Sequence, residues 1–552
     1  MHTDPLLEDL MGQLGEFGKY QLKQHILHLL TAFLAGMHML SLTFVAPTPQ
    51  HRCFIKEIDL YNSTALAESP VFNASILAEY IPLKQNGELD SCRKFSSPFD
   101  NSTSMSCNGQ FVYDKSIYLQ SRVYEWDTVC ENKWQRALIQ SIYVFGVFNG
   151  ALIAGALSDR FGRKRILCIS AIFQFVFAMV GAFIPNYILY CASLFAYGFF
   201  GSGGAYVTGF VLSMELVDKK KRTYCGTAFS ASFATGVCFV ALWSYLIRDV
   251  TVLQVVFALH ALLLFGHFWL IDESIRWLWS QGRIQEAVKI ARKAARTNGR
   301  SFNNNYDSKY NAAALKMQSE DSITYGLSDL FKTPNIRFRA INTAFQWFSI
   351  ALCFYGLAFN TGALPGDPYL VFFLAGFADL PGHLLVVLVV DKTGRRPLNA
   401  AFLLIGGVAC VVTTFIPRGL IVTSIAMIAK IAMAGCFAVI YNYTAELFPT
   451  VIRNSAVGLC SMAARMGGML TPQITLLDSL DKSIPTLVFG GVAIFAAFMG
   501  LFLPETLHKE MPQSLEDGEN FGKGDTAFTS CCGGSNRSYG IDDLEQGQRL
   551  KK

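Results

Sequence analysis

Twelve long apolar runs constrain this chain more than any other feature of its 552 residues. A helix needs about 20 apolar residues to cross the hydrocarbon core of a bilayer, and each run is about that long. The runs lack the short alternating pattern of a membrane β-barrel, and charged residues make up only 16% of the chain, so we predict an all-α membrane protein. The predicted spans are 25–45, 138–157, 166–184, 188–211, 225–247, 252–271, 341–360, 370–390, 398–417, 422–444, 455–477 and 485–503.

Basic residues are concentrated in alternate loops between these runs. The loops "SDRFGRKR" (158–165), "DKKKRT" (218–223) and "DKTGRRP" (391–397) are rich in Lys and Arg, whereas the short loops between them carry few basic residues. Positively charged loops tend to stay on the cytoplasmic side of a membrane. We therefore expect a multi-pass protein of the plasma membrane with both termini in the cytoplasm.

The long loop 46–137, between the first two runs, is then expected to face the cell exterior. It holds three N-glycosylation sequons and four cysteines, and four cysteines in an oxidising compartment are compatible with two disulfides in any of three pairings. A fourth sequon at Asn536 falls on the cytoplasmic side and is expected to stay unmodified. The glycosylation candidates are Asn62, Asn73 and Asn101, and the disulfide candidates are Cys53, Cys92, Cys107 and Cys130.

Charged residues at the ends of the runs recur along the chain at one spacing. The motif "LSDRFGRKR" has a counterpart in "VVDKTGRRP", and "MELVDKKKR" has one in "AELFPTVIR". Self-similarity at a fixed offset of 231 or 232 residues indicates two equivalent halves of six helices each. The matched pairs are Asp159 and Asp391, Glu215 and Glu446, Arg222 and Arg453, and Glu273 and Glu505.

This repeat gives the predicted domain organisation. Two six-helix halves that meet at a midplane site are the plan of a secondary transporter that works by alternating access. We expect a helix-like segment (285–297) in the region between the halves. The predicted parts are a cytoplasmic N-terminal segment (1–24), an N-terminal half (25–271), a cytoplasmic linker (272–338), a C-terminal half (339–505) and a cytoplasmic tail (506–552).

The repeated charges suit a gate at the cytoplasmic end of the helices. An aspartate at a helix end, a tight glycine turn and an arginine cluster can form ion pairs between helices that hold such a gate closed. The alternative is that these residues only anchor helix ends at the lipid headgroups, which explains a single motif better than a repeated set. The candidate gating residues are Asp159, Arg160, Arg163, Glu215, Arg222, Asp391, Arg395, Glu446 and Arg453.

Several of these motifs resemble a known transporter family. "GALSDRFGRKR" (155–165) resembles the loop signature of the major facilitator superfamily. "ESIRWLWSQGR" (273–283), "AELFPTVIRN" (445–454) and the large cysteine-bearing loop resemble the organic cation, organic anion and carnitine transporter family. Within that family, "YVTGFVLSMEL" (206–216) and "FNTGALPGDPYLVFFL" (359–374) look closest to the carnitine and zwitterion branch. The resemblance implies the major facilitator fold and the transport of small organic ions.

Ionisable and aromatic residues inside the runs are candidates for a substrate site, because charge within a membrane is costly and usually faces the bundle interior. Asp379 and His383 lie one helical turn apart, about halfway along the eighth run. Asp379 can hold a substrate amine or serve as a structural charge, and His383 can face a ligand or pack as a neutral ring. We interpret Lys430, in the tenth run, mainly as a structural charge.

Aromatic side chains can complete such a site or simply form part of the core. Aromatic walls hold alkylammonium groups through cation–π attraction and stack planar anions equally well. The resemblance favours some of them, because positions matching Tyr355 and Phe437 contact substrate in related transporters. The aromatic candidates are Trp347, Tyr355, Phe437 and Tyr441.

One arginine lies inside the eleventh run, in "LCSMAARMGGMLTP" (459–472). Arg465 is about 15 Å from the cytoplasmic end of that run, near the midplane of the membrane. Small residues share its helical face and leave space around the guanidinium, which can then bind a carboxylate in a bidentate manner. The alternative is a structural salt bridge to Asp379 or another acid. The resemblance favours the substrate role, since cation-selective members of the family carry an acid at the matching position.

We therefore expect a secondary-active transporter of small organic ions, and carboxylate-bearing zwitterions of the carnitine or amino-acid-derivative kind fit best. Organic anions or cations are alternatives within the family, and a non-transporting receptor or scaffold is the alternative from another class. The glycine-rich "GFFGSGGAYVTG" (198–209) follows no strand and lacks GK[ST], so it indicates helix packing rather than nucleotide binding. We expect no enzymatic activity, metal, cofactor or nucleic-acid partner. The expected partners are the organic ion and the lipid bilayer, while the coupling ion (sodium or proton) and the oligomeric state stay open.

Overall fold

The chain forms a bundle of long helices with a small disulfide-linked domain at one end. The computed structural model describes residues 5–15, 17–59, 71–84, 87–96, 103–218, 221–302, 327–417, 419–449, 451–509 and 511–523. Within these residues, ten helices are long and apolar enough to cross a membrane. Two further helices complete the twelve that the sequence predicts: the arginine-bearing Arg453–Thr475 and the shorter Ile484–Gly500, which has 17 residues.

We number the spanning helices in chain order. The first half contains α1 (Lys19–Leu40, continued by Leu42–Val45), α2 (Lys133–Phe161), α3 (Arg163–Ala182), α4 (Tyr187–Leu216), α5 (Arg222–Leu246) and α6 (Val250–Leu270). The second half contains α7 (Pro334–Phe359), α8 (Pro368–Thr393), α9 (Arg395–Thr413), α10 (Leu420–Leu447), α11 (Arg453–Thr475) and α12 (Ile484–Gly500). Shorter helices are Pro5–Leu14, Lys56–Asp59, Ala74–Leu77, Arg122–Trp126, Ile275–Ser280, Ile284–Thr297 and Leu515–Asn520.

Two ends of the bundle can be distinguished from the loops. The basic end carries the loops 158–165, 218–223 and 391–397, and the loop end carries the segment between α1 and α2. Three helices that start at the loop end have an acid or amide as N-cap: Asn186 for α4, Asp249 for α6 and Asp367 for α8. Each of these side chains accepts one or two hydrogen bonds from backbone N–H groups of the first turn, which have no partner within the helix.

The glycine-rich part of α4 packs directly against the backbone of α2. A Cβ atom added at Gly150 would lie 2.1 Å from the carbonyl oxygen of Phe199, and one added at Gly203 would lie 2.8 Å from the Cα of Gly150. Only glycine fits at such an approach, so the packing interpretation of this run is confirmed. Within the run, Phe199–Ala205 is a π-helical segment, a local widening that is frequent at functional sites.

The loop domain, residues 46–132, is built on two short antiparallel strand pairs. β1 (His51–Cys53) pairs with β4 (Phe111–Tyr113), and β2 (Arg93–Phe95) pairs with β3 (Ser104–Ser106). The predicted disulfides are present, and of the three possible pairings the structure has Cys53–Cys107 and Cys92–Cys130. Asn73 is exposed, as a glycosylation acceptor must be, whereas Asn62, Asn101 and Asn536 lie outside the described residues.

The loop domain is attached mainly to the first half. The guanidinium of Arg122 donates to the carbonyl oxygen of Ala182 at 2.5 Å and to the side chain of Gln254 at 2.8 Å. The indole of Trp126 donates to the carbonyl oxygen of Pro185 at 2.7 Å. A single described ion pair, Glu88 with Lys482, joins the loop domain to the second half.

The two halves meet along two pairs of helices, α2 against α11 and α5 against α8. Each half has its own buried apolar clusters: the largest in the second half combines α7, α10, α11 and α12. The helix-like segment predicted at 285–297 is Ile284–Thr297, and its apolar face packs on Pro5–Leu14 and Ile275–Ser280. The limits of the predicted domains stay predictions.

Candidate functional site

A cavity of about 120 Å³ lies between the two halves. The first half contributes residues from α1, α2, α4 and α5, and the second half contributes residues from α7, α8, α10 and α11. All the candidate substrate-binding side chains line this one cavity, although they come from four different helices: Trp347, Tyr355, Asp379, His383, Phe437, Tyr441 and Arg465.

Arg465 contacts its own helix rather than an acid. Its Nη1 donates to the backbone oxygen of Ser461 at 3.0 Å and also to the Ser461 hydroxyl. Its Nε is buried without a hydrogen-bond partner, and within the described residues no carboxylate forms an ion pair with the guanidinium. A guanidinium has five N–H donors, so donors are left that a ligand in the cavity can use.

Asp379 and Lys430 form a buried ion pair between α8 and α10. The Lys430 Nζ lies 3.2 Å from Oδ1 and 3.3 Å from Oδ2 of Asp379, and the two side chains are 2% and 1% exposed. The ammonium also lies 3.4 Å from the ring centroid of Phe354. The charge of Asp379 is therefore largely balanced within the bundle, which is the structural role that the sequence left open for both residues.

His383 is oriented by the backbone of the same helix. Its Nδ1 lies 2.5 Å from the carbonyl oxygen of Asp379. Because a carbonyl only accepts, Nδ1 carries a proton, and Nε2 of the neutral ring is the acceptor. The side chain lines the cavity, so His383 can offer a ligand one hydrogen-bond acceptor.

The aromatic candidates form a wall whose members hold one another in place. The indole of Trp347 donates to the Thr444 hydroxyl at 2.9 Å and packs edge-on against Tyr441, with 4.2 Å between centroids. Phe437 packs edge-on against Phe354 at 5.2 Å. Buried rings fixed in this way present faces to a ligand at little further cost in conformational entropy.

The substrate-site candidates predicted from sequence all lie in the second half, because the cavity residues of the first half carry no charge. The signal that could have found these residues is the repeat itself. At the offsets of 231 and 232 residues, cavity residues of the first half match cavity residues of the second. The matched pairs are Val147 and Asp379, Tyr206 and Phe437, Ser230 and Ser461, and Ala234 and Arg465. The lining residues of the two halves thus occupy matched positions, but only the second half contributes charged side chains.

At the basic end, an arginine in each half joins two acids. In the first half, Arg163 lies 2.8 Å from Asp159 and 3.2 Å from Glu215. These three residues come from α2, α3 and α4, so the ion pairs hold three helices together within one half.

The second half repeats this network at the matched positions. Arg395 lies 3.1 Å from Asp391 and 3.0 Å from Glu446, and the three residues again come from three helices. The other gating candidates do not join the networks. Arg160 lies over the ring of Phe161, and Nε of Arg453 donates to the carbonyl oxygen of Phe448 at 3.4 Å. Within the described residues, neither Arg222 nor Arg453 forms an ion pair with the repeated acids.

A further repeated acid caps the helix that follows each glycine turn. Glu273 accepts from the backbone N–H of Arg163 at 3.1 Å and of Lys164 at 3.2 Å. The turn residue Gly162 has φ of 107°, where a Cβ would also lie 2.6 Å from the Glu273 carboxylate. Burial raises the pKa of Glu273, and these backbone hydrogen bonds oppose the shift.

The same cap recurs in the second half. Glu505 accepts from the backbone N–H of Arg395 and of Arg396, each at 3.0 Å, next to Gly394 with φ of 92°. An anion at a helix N-terminus also interacts favourably with the helix dipole. Two halves that repeat an ion-pair network, a glycine turn and a carboxylate cap must have the same local architecture at this end.

Comparison with known proteins agrees with this architecture. The family described as "Sugar (and other) transporter" matches residues 89–515. The Organic cation transporter protein of Drosophila melanogaster is 33% identical, over 94% of this chain and 95% of its own length. The Organic cation/carnitine transporter 2 of Mus musculus is 32% identical, over 92% of this chain and 93% of its own length. The chain belongs to the organic cation, organic anion and carnitine transporter family.

The fold is similar to that of a solved transporter structure. The major facilitator superfamily proton:xylose symporter XylE superposes with a TM-score of 0.58, at 17% identity, over 91% of this chain and 99% of the symporter. The predicted major facilitator fold, with twelve helices in two halves, is confirmed. The protein is a multi-pass membrane transporter and not an enzyme.

Proposed function

We propose that this transporter carries small organic ions with a carboxylate group, by alternating access to the cavity between its halves. The observation that carries the proposal is Arg465, which is a cation at the cavity with no acid paired to it in the described structure. A bidentate contact between guanidinium and carboxylate is the interaction that this group is best suited to make.

The charges around the cavity favour an anionic group over a cationic one. Asp379 and Lys430 balance each other at 3.2 Å, so Arg465 leaves the cavity with one net positive charge. In a low-dielectric site an unbalanced charge is costly, and a substrate carboxylate supplies the missing counter-charge.

For a zwitterion, the ammonium group needs a different partner from the one that the sequence suggests. Asp379 already neutralises Lys430, so we propose that the aromatic wall holds the ammonium through cation–π attraction. Tyr355 and Phe437 line the cavity from α7 and α10 and belong to this wall. A simple organic anion is the second candidate, favoured by the same Asp379–Lys430 pair, because it needs no partner for an ammonium.

The orientation in the membrane is part of the proposal. Three basic loops lie at the end opposite the disulfide-linked loop domain, which is the charge distribution of a protein whose basic end is cytoplasmic. Disulfides in the loop domain fit an oxidising exterior. We therefore place the loop domain outside the plasma membrane and both termini in the cytoplasm.

Uptake into vesicles that contain the purified protein tests the proposal. The panel consists of labelled carnitine, a simple monocarboxylate and tetraethylammonium, which has no carboxylate, each measured with and without a sodium gradient. We expect saturable uptake of carboxylates. Arg465→Lys keeps the charge but loses the planar guanidinium, so the apparent affinity for carboxylates should fall. Arg465→Ala should lose roughly 1.5–3 kcal/mol of binding free energy, which lowers the affinity about ten- to a hundredfold.

The matched control is Lys289→Ala, which removes an exposed cation from the helix Ile284–Thr297. It should leave all uptake unchanged. The amount of folded protein in each vesicle preparation is measured alongside. If well-folded Arg465→Ala protein takes up carboxylates with unchanged affinity, or if the wild-type takes up only tetraethylammonium, the proposal is wrong.

A further inference from the structure

A second cavity, of about 70 Å³, lies between the halves nearer the loop end. Its walls come from α1 and α2 of the first half and from α7 and α11 of the second. Its polar lining residues include Lys133, Arg136, Gln140, Thr475 and Asp478. None of these residues has a role in the central site described above.

The two cavities lie in series along α2 and α11. On α2, Lys133 lines the outer cavity and Val147 lines the central one, about 20 Å further along the helix. On α11 and the turn that follows it, Asp478 lines the outer cavity and Arg465 lines the central one. A ligand that passes from the loop end to Arg465 between these two helices therefore reaches the outer cavity first.

One polar layer separates the cavities. The hydroxyl of Ser141, on α2, donates to the backbone oxygen of Met469, on α11, at 2.9 Å. The side chain of Gln473 donates to the same hydroxyl at 3.2 Å. These contacts cross between the halves, so they must break when the halves separate at the loop end.

The outer cavity carries more positive than negative charge. Lys133 forms an ion pair with Asp478 across the two halves, and both side chains are partly exposed. Arg136 donates through Nε to the carbonyl oxygen of Ala46 at 2.9 Å. Two cations and one acid line the same small space, so one positive charge stays unbalanced by the lining.

We propose that the outer cavity is a carboxylate-binding site that the substrate occupies before it reaches Arg465. The substrate carboxylate replaces Asp478 as the partner of Lys133 and contacts Arg136. The exchange breaks the ion pair between Lys133 and Asp478, so binding itself loosens one of the contacts that close the loop end. The inference rests on the proposed function, since it requires a substrate with a carboxylate.

Three variants separate this site from a simple closing ion pair. Lys133→Gln and Asp478→Asn both remove the ion pair, but only the first removes a cation from the site. The proposal predicts that Lys133→Gln and Arg136→Gln raise the external KM for the best carboxylate of the panel, by roughly two- to fivefold for partly exposed groups. Asp478→Asn should leave this KM unchanged or lower it, because it frees Lys133.

Three controls make the comparison sharp. Lys56→Gln removes an exposed cation of the loop domain, outside the cavity, and should have no effect on KM. Lys133→Arg keeps the charge and should restore the wild-type KM, which excludes misfolding as the cause of the Lys133→Gln effect. Efflux measured from the basic end should keep its KM in every variant, because the substrate then reaches Arg465 first.

The outcomes distinguish this inference from the function on which it rests. If Lys133→Gln and Asp478→Asn raise KM to the same extent, the pair only closes the loop end and the inference is wrong. An unchanged KM in Arg136→Gln also overturns it, even where uptake still depends on Arg465. If the wild-type takes up no carboxylate, both the proposed function and the inference fail.

Discussion

The buried pair of Asp379 and Lys430 gives the most stringent test of how this bundle is stabilised. Asp379→Asn leaves Lys430 buried with no counter-charge. Lys430→Met leaves Asp379 buried in the same way. Removing one partner of a buried ion pair costs about 3–5 kcal/mol, because the remaining charge is uncompensated. Removing both charges together should recover most of that loss, since the pair offsets its own desolvation only in part.

Thermal unfolding of the detergent-purified protein measures these effects. At about 2–4 °C per kcal/mol for a unit of 150–250 residues, each single variant should lower Tm by roughly 6–20 °C. The double variant Asp379→Asn/Lys430→Met should lie much closer to the wild-type. Glu286→Gln is the control, because its ion pair with Arg283 is about half exposed and is worth about 1 kcal/mol or less.

Uptake by the same variants separates structure from recognition. If Asp379 serves only to balance Lys430, the double variant regains both Tm and the wild-type preference among the panel substrates. If Asp379 also contacts a substrate ammonium, Tm recovers but carnitine uptake stays weaker relative to a simple carboxylate. A double variant no more stable than the single variants would refute the assignment of the pair as a compensated buried charge.

Three further predictions follow from the loop domain and from the basic end. Replacing Cys53 and Cys107 together should leave no new thiol for maleimide labelling and lower the free energy of unfolding of the loop domain by about 4 kcal/mol. Replacing Cys53 and Cys92 together should expose two thiols, because each has a different partner. Glycosidase treatment should shift the mobility of the intact protein, and replacing Asn62, Asn73 and Asn101 together should abolish the shift; a shift that persists through Asn536 would reverse the proposed orientation. Glu505→Gln should weaken the cap of α9 and lower turnover more than substrate binding, and Glu273→Gln should do the same in the first half; lost binding with normal turnover would contradict a role in gating.

The spans could be predicted closely because apolar length is a local property of the sequence. The tenth run was predicted at 422–444 and the helix is Leu420–Leu447. Helices extend past the apolar runs mainly at the basic end, where the backbone stays helical after the side chains become polar. The predicted α9 ran too long, at 398–417, because its apolar residues continue beyond the last helical turn at Thr413.

Pairings between distant residues could not be predicted in the same way. Asp379 and Lys430 were both recognised as buried charges, but only the packing of α8 on α10 shows that they are partners. The choice among three disulfide pairings depends likewise on how the strands of the loop domain fold. Arg465 could be predicted from sequence because a charge within an apolar run stands out, whereas Ala234, at the matched position of the first half, is apolar and gives no local signal.

The ion pair that joins the loop domain to the second half has a practical consequence. The loop domain is fixed to the first half through Arg122 and Trp126, so we expect it to move with that half. Glu88 and Lys482 then part each time the protein opens at this end. An antibody fragment whose epitope includes both residues would recognise only one stage of the cycle. It would act as a non-competitive inhibitor and as a fiducial mark for imaging that stage.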